Sequence, residues 1–175
     1  MGIVLPAVSV IICHHTGRDL LTRCLDSVST SRGVYCQTVV VTSDLSYHLE
    51  PKSVVSLYLQ DGPAAKRNFG TRLTREDVLV YLDDDVEVSP YCLYELWRWL
   101  NEHLRTGMVF GKILKMGEGR RTEFDDCGSW LTWTGFLWAR AGNAQTDHGQ
   151  YDSPTPILAS KSATCAVRRR AMRQV

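Results

Sequence analysis

Val78-Leu79-Val80-Tyr81-Leu82-Asp83-Asp84-Asp85 is a short apolar strand that runs straight into three carboxylates. Side chains alternate across an extended strand, so this reading points Asp83 and Asp85 to one side and Asp84 to the other. Two like charges that close repel unless a cation lies between them, and hard oxygen ligands suit Mg²⁺ or Mn²⁺ carrying a diphosphate. A solvated acidic turn that merely ends the strand is the plainer account of an isolated Asp triplet. The apolar run before it and Pro90 soon after weigh against that account, because carboxylates at the carboxyl end of a central strand lie where open α/β sheets bind ligands.

Outward from that strand, the first half of the chain alternates strand and helix signals. Val8 to Cys13 is a continuous apolar run, followed by a turn at Thr16-Gly17 and by Leu20, Leu21, Cys24, Leu25 and Val28 on one helical face. Val39-Val40-Val41 ends at Thr42-Ser43-Asp44, and Val54 to Leu59 is a further strand, broken at Asp61-Gly62-Pro63. A helix over 64–73 follows, with Pro63 suited to its first turn. Strands buried on both faces and joined by helices predict an α/β fold with a mostly parallel sheet. After Pro90, Leu93, Leu96, Trp97, Leu100 and Leu104 share a helical face, Met108 to Leu114 reads as one strand, and Ala163 to Val167 as a last strand. Between 116 and 152 the Gly, Trp and Thr content with weak periodicity predicts short strands and long loops. Trp97 and Trp99 are read as core.

Composition narrows the class. At 175 residues and 44% hydrophobic the chain supports one domain with a real core, and a second independent domain would be cramped. A net charge of +1 gives no electrostatic reason to expect nucleic acid, and Arg168, Arg169, Arg170 and Arg173 read as a solvated helix start or a phosphate contact. The cysteines at 13, 24, 36, 92, 127 and 165 form no C-x-x-C pair, which argues against a zinc knuckle or disulfide scaffold and for a reducing cytoplasm. Pro6 stands where a myristoylation motif at Gly2 wants Ser or Thr, and no run approaches the roughly 18 apolar residues of a spanning helix. The expectation is a cytoplasmic protein, free or at the cytoplasmic face of a membrane.

Taken in order, the pieces resemble the family 2 glycosyltransferases. Ser9-Val10-Ile11-Ile12 is similar to the family's first strand and Cys24-Leu25-Asp26-Ser27-Val28 to the end of its first helix. Gly62-Pro63-Ala64-Ala65-Lys66-Arg67-Asn68-Phe69-Gly70 resembles its G-x-x-x-A-R-N-x-G segment, and Tyr81-Leu82-Asp83-Asp84-Asp85-Val86 the strand ending in its D-x-D motif. Ala163-Thr164-Cys165-Ala166-Val167-Arg168-Arg169 matches a later small-residue strand followed by Arg-Arg. The resemblance implies the GT-A fold, a Rossmann-like three-layer α/β/α arrangement, and transfer of sugar from a nucleoside-diphosphate sugar to a saccharide or lipid-linked acceptor hydroxyl, metal-assisted and inverting, in polysaccharide or glycoconjugate synthesis.

It also implies residue roles. Asp44 is the nearest match to the acid that binds the base or ribose, offset by Thr42 and Ser43 from the apolar run. Arg67 matches the arginine facing the nucleotide, and Asn68 is read as fixing local structure. Asp83 is implied as a contact to the ribose or the metal shell, Asp85 as the Mg²⁺ or Mn²⁺ ligand holding the donor diphosphate, and Asp84 as a helper or a solvated neighbour. His14 and His15, at the mouth of the first strand, are placed to line the nucleotide pocket, but they depart from the family's segment at that point and surface histidines are the preferred reading. The family's usual base follows beyond the matched motifs, so the expectation is that this stretch binds donor and transfers weakly. Asp125, Asp126, Asp147 and Asp152 read as loop residues.

Two other readings compete. One is a binding module that keeps the donor pocket and lacks the base. The other is a haloacid-dehalogenase-like phosphatase, whose D-x-D also follows an apolar strand, but Glu87 stands where that motif wants Thr or Val and three strands precede the motif here instead of none.

Overall fold

The computed structural model describes residues 5–15, 17–44, 54–116, 122–141 and 145–172. The readings attached to Gly2, Thr16 and Arg173 lie outside the described residues. In chain order the elements are β1 (Ala7–His14), α1 (Arg18–Ser29), β2 (Tyr35–Thr42), β3 (Val54–Tyr58), α2 (Pro63–Leu73), β4 (Val78–Asp83) and α3 (Cys92–Glu102). There follow β5 (Met108–Phe110), β6 (Ile113–Leu114), β7 (Phe124–Asp126), β8 (Ser129–Leu131), β9 (Leu137–Ala139), β10 (Thr164–Arg168) and α4 (Arg169–Met172). The chain divides into two compact units, Met1–Val109 with Ala163–Val175, and Phe110–Ser162.

The first unit is built on a sheet of order β3-β2-β1-β4-β10-β5. β3, β2, β1 and β4 are mutually parallel, and β10 joins β4 antiparallel. The apolar runs of β1, β2 and β4 are buried on both faces. On one face Val8, Val10, Ile12, Val40, Val80, Leu82 and Ala166 meet Leu21, Cys24, Leu25 and Val28 of α1 and Leu93, Leu96 and Leu100 of α3. On the other lie Ile11, Val41, Leu79 and Tyr81, covered by α2, so helix, sheet and helix make three layers. Gly70 allows the close approach of α2: a Cβ there would sit 2.6 Å from Ile11 Cγ2.

Several expectations shift. Leu20 is 46% exposed, because at about 100° per residue it falls a quarter-turn off the stripe made by Leu21, Cys24, Leu25 and Val28. Leu104 lies past the end of α3 and is exposed. The single strand read over 108–114 is two, β5 and β6, interrupted at Gly111 and Lys112. Arg169 and Arg170 open α4 and Arg170 is exposed, as a solvated helix start predicts, but Arg168 and Arg169 are half-buried and all three guanidiniums donate to backbone carbonyls. Arg168 donates to the carbonyls of Leu100 and Thr106, and Arg170 to that of Leu104 at 3.0 Å. Arg169 donates to the carbonyls of Glu76 (2.8 Å) and Thr71 (3.0 Å) and to Thr74 Oγ1 (3.0 Å). They satisfy orphan carbonyls at and just past the ends of α2 and α3.

The second unit is made of short strands, as its composition predicts. β6 pairs antiparallel with β7, and β8 with β9. Its carboxylates fasten loops. Asp126 accepts from Gly128 N–H (3.2 Å), Lys161 N–H (2.7 Å) and the Ser160 hydroxyl, Asp125 pairs with Lys161 Nζ at 2.7 Å, and Lys112 Nζ bridges Asp147 and Asp152.

Candidate functional site

In the order β3-β2-β1-β4, the chain passes from β1 outward to β2 and β3 and then returns to the far side of β1 as β4. That reversal opens a crevice at the carboxyl ends of β1 and β4, the place where open parallel sheets receive ligands. The residues at this edge are Cys13, His14 and His15 after β1, Thr42 to Asp44 after β2, Asp83 to Asp85 after β4, and Lys66 and Arg67 in the first turns of α2. His15 N–H donates to Asp84 Oδ2 at 3.3 Å and ties the two strand ends together.

The alternation expected across the Asp triplet stops at Asp83. β4 ends there, and Val86 N–H turns back to the Asp83 carbonyl at 3.3 Å, so Asp84 and Asp85 lie in a turn and the strand no longer dictates their sides. Asp83 is half-buried on the α2 side, where Arg67 Nη2 donates to its Oδ1 at 2.8 Å. Burial pushes the Asp83 carboxyl above the usual carboxylate range, Arg67 opposes the rise, and Asp85 and Asp84 add to it. Asp85 is exposed and pairs with no cation among the described residues. Arg67 Nε is buried with no hydrogen-bond partner among the described residues, an unused donor beside the crevice. Asn68 is exposed.

Two features escape the sequence reading. Lys66 is buried and its Nζ donates to the His14 carbonyl at 2.6 Å, pinning the first turn of α2 onto the end of β1 and placing a second positive charge at the site. Its place next to Arg67 on a helix that reaches the site was the available signal, but burial of a lysine is a tertiary fact. His14 is fully buried, not a surface histidine. Its Nε2 lies 3.1 Å from the Gly17 carbonyl, which can only accept. In the neutral ring Nε2 therefore carries the proton, and Nδ1 accepts from the Thr42 hydroxyl at 2.8 Å. Thr42 Oγ1 in turn accepts Asp44 N–H at 2.9 Å, so the chain from Gly17 through His14 and Thr42 sets the position of Asp44. Gly17 supports this at φ +100°, a backbone state that side chains disfavour. His15 is exposed as expected. Burial holds the thiols near the site protonated: Cys24, whose Sγ donates to the Asp83 carbonyl at 3.7 Å, is pushed up to about 12, and all six cysteines are free.

The cluster thus gathers four carboxylates, Asp44, Asp83, Asp84 and Asp85, against one lysine and one arginine at the switch point of a parallel sheet. Residues 9–173 match glycosyl transferase family 2. The chain belongs to that family. No curated protein matches it. Among solved structures, S. aureus TarS 1–349 is similar with a TM-score of 0.54 at 17% identity, over 71% of this chain and 41% of that one. The Pyrobaculum calidifontis mannosyltransferase PcManGT, in complex with GDP-Man and Mn²⁺, has a TM-score of 0.53 at 19% identity, over 64% of this chain and 36% of that one. TarS 1–349 in complex with UDP-GlcNAc matches with a TM-score of 0.53 at 18% identity. The α/β arrangement is that of the GT-A glycosyltransferases. The glycosyltransferase chain spans well under half the length of these solved relatives.

Proposed function

We propose that this family 2 glycosyltransferase binds a nucleoside-diphosphate sugar at the carboxyl ends of β1, β2 and β4 and transfers the sugar, with inversion, to a saccharide or lipid-linked acceptor hydroxyl in polysaccharide or glycoconjugate synthesis. The observation that carries the reading is the meeting of Asp83, Asp84 and Asp85 with Arg67 and Lys66 at the sheet's switch point. Asp44 and Arg67 take the nucleoside, with the orphan Nε of Arg67 free to donate to it. Asp83 and Asp84 complete the donor contacts. The similar structures in complex with GDP-Man and with UDP-GlcNAc support a donor of this class. We place the reaction at the cytoplasmic side, with about 1–88 as the donor half and 89–175 as part of the acceptor half.

A divalent cation fits the residues present. Among the described residues no three His, Cys, Asp or Glu side chains form a cage for one. Mg²⁺ and Mn²⁺ bound with a nucleotide need only one or two carboxylates, with phosphate and water supplying the other oxygens. Asp83 and Asp85 would hold it. The local balance is net negative, which would repel a diphosphate, and the raised proton affinity of Asp83 reflects its burial and the repulsion of its neighbours. A cation held there would supply charge neutralisation to the leaving diphosphate. Arg67 holds Asp83 in place and Lys66 keeps the first turn of α2 against β1, so both positive groups remain beside the leaving group without reorganisation.

Calorimetry with UDP and GDP, in Mn²⁺ and in excess chelator, tests the donor reading. Binding that strengthens with Mn²⁺ supports it, and equal affinity in both conditions refutes the metal assignment. A binding module without its own base is the second reading, favoured by the engagement of Asp125, Asp126, Asp147 and Asp152 in loop contacts. Donor binding with no acceptor-dependent release of nucleoside diphosphate would select it.

A further inference from the structure

β8 and β9 form a hairpin with Ser129 opposite Ala139, Trp130 opposite Trp138 and Leu131 opposite Leu137. Strand alternation puts the two tryptophans on one face and the two leucines on the other. Trp138 is 67% exposed, Leu137 60%, Leu131 55% and Trp130 45%, while Trp133 and Phe136 in the connecting loop are 97% and 74% exposed. Residues 127–139 carry no charged side chain and no Asn or Gln. Several polar groups of the tip are satisfied within it. Thr132 N–H donates to the Phe136 carbonyl (2.8 Å), Gly135 N–H to the Thr132 carbonyl (2.9 Å) and Phe136 N–H to Thr132 Oγ1 (3.0 Å). The hydroxyls of Thr132 and Thr134 share a bond of 2.9 Å, and Trp130 Nε1–H reaches the Pro156 carbonyl at 3.3 Å.

We propose that this hairpin inserts into the boundary between headgroups and acyl chains of a lipid bilayer. Both faces and the tip are apolar, and lipid surrounds an inserted hairpin on all sides, whereas a protein partner or a second copy covers one face. Each face by itself offers no more than about 300 Å² of apolar area, below the roughly 450 Å² that is the apolar share of the ~800 Å² buried per partner in a stable protein interface. A saccharide needs charged or amide groups beside the rings to engage its hydroxyls, and this segment has none. Each backbone group satisfied internally lowers the desolvation cost of entering lipid, and tryptophans concentrate at the membrane–water boundary. Three of the protein's five tryptophans are here. Across residues 110–162 six Lys and Arg oppose six Asp and Glu, so the attachment is apolar and does not depend on anionic lipid or low salt.

The test is flotation of the 175-residue chain with phosphatidylcholine vesicles, with and without phosphatidylglycerol, at low and high salt. Co-flotation on both compositions, equal within about twofold, is expected, together with a blue-shifted tryptophan emission quenched by bromine-labelled acyl chains. The double variant Trp133→Ser/Phe136→Ser lowers partitioning by at least about tenfold, because it removes most of the apolar area at the tip. Thr134→Asp keeps every apolar side chain, adds a charge at the tip and also weakens binding. Unchanged far-ultraviolet circular dichroism and thermal unfolding show that both variants fold. Absence of co-flotation, equal flotation of the variants, a requirement for anionic lipid, or a dimer that the double variant abolishes would each overturn the proposal, as would an indole response to oligosaccharides with none to lipid. Trp133 and Phe136 lie outside the proposed donor site, so nucleotide calorimetry reports on that reading separately.

Discussion

Replacing Gly70 by Ala tests how α2 reaches the sheet. The added Cβ would stand 2.6 Å from Ile11 Cγ2, where ordinary contact begins near 3.4 Å, so something must yield by about 0.8 Å. Ile11 cannot yield easily. It is fully buried in the central strand, with Val39 and Tyr81 as its neighbours in register. Overpacking of this kind costs about 1–3 kcal/mol, and the better helix propensity of Ala returns about 1. The expected net loss is about 0–2 kcal/mol in urea unfolding. Because α2 also carries Lys66 and Arg67, its displacement lengthens the 2.6 Å bond to the His14 carbonyl and the 2.8 Å bond to Asp83, and UDP affinity in Mn²⁺ falls several-fold. In an Ile11→Ala background the obstructing methyl is gone, and Gly70→Ala becomes neutral or stabilising by up to about 1 kcal/mol. A Gly70→Ala protein as stable as the parent, with no coupling to Ile11, refutes the close approach.

Asp85→Ala abolishes most of the Mn²⁺-dependent gain in UDP affinity, at least about tenfold, while Asp84→Ala acts mainly through the lost acceptor for His15 N–H; calorimetry of both variants ranks them, and a full gain retained in Asp85→Ala rejects its metal role. An acid whose pKa rises on folding holds its proton more tightly in the native state, so the contribution of Asp83 is greatest at acid pH and declines as pH rises from the unfolded carboxylate value through the raised native one. Asp83→Asn should therefore gain on the parent as pH rises through that window, by no more than about 1 kcal/mol at this half-exposed site, and a stability difference that moves the other way contradicts the burial argument. His14→Phe leaves the Gly17 carbonyl and the Thr42 hydroxyl without their ring partner and is expected to cost about 2–3 kcal/mol in thermal or urea unfolding; a neutral result would mean that the ring is not a link in that chain. Arg169→Met costs about 2–4 kcal/mol because three acceptors lose their donor, with UDP affinity unchanged; loss of affinity at parental stability would restore a phosphate role.

The order of elements was legible in the chain because local chemistry writes it. The two-faced apolar strands, Pro63 at the head of α2, Gly70 in its motif and the carboxylates at the end of β4 all follow from periodicity, turn chemistry and charge. Asp83, Asp84 and Asp85 could be picked out for the same reason, as could the absence of any C-x-x-C pair, whereas Arg67 and Asp44 were legible only through the resemblance to the family 2 glycosyltransferases. Their geometry could not. Whether the strand carries its alternation past Asp83 depends on a turn closed by Val86, and whether His14 faces water or protein depends on where Thr42 of β2 arrives beside it. Lys66 and the Arg168 to Arg170 run look like solvated charges in sequence, because a lysine or arginine declares its partner only when distant carbonyls are folded around it. The hairpin at 129–139 shows the converse. The sequence predicts short strands there, and only the tertiary structure leaves Trp130, Trp133 and Trp138 largely in solvent, because a three-residue pair of strands is too narrow to bury large side chains on both faces.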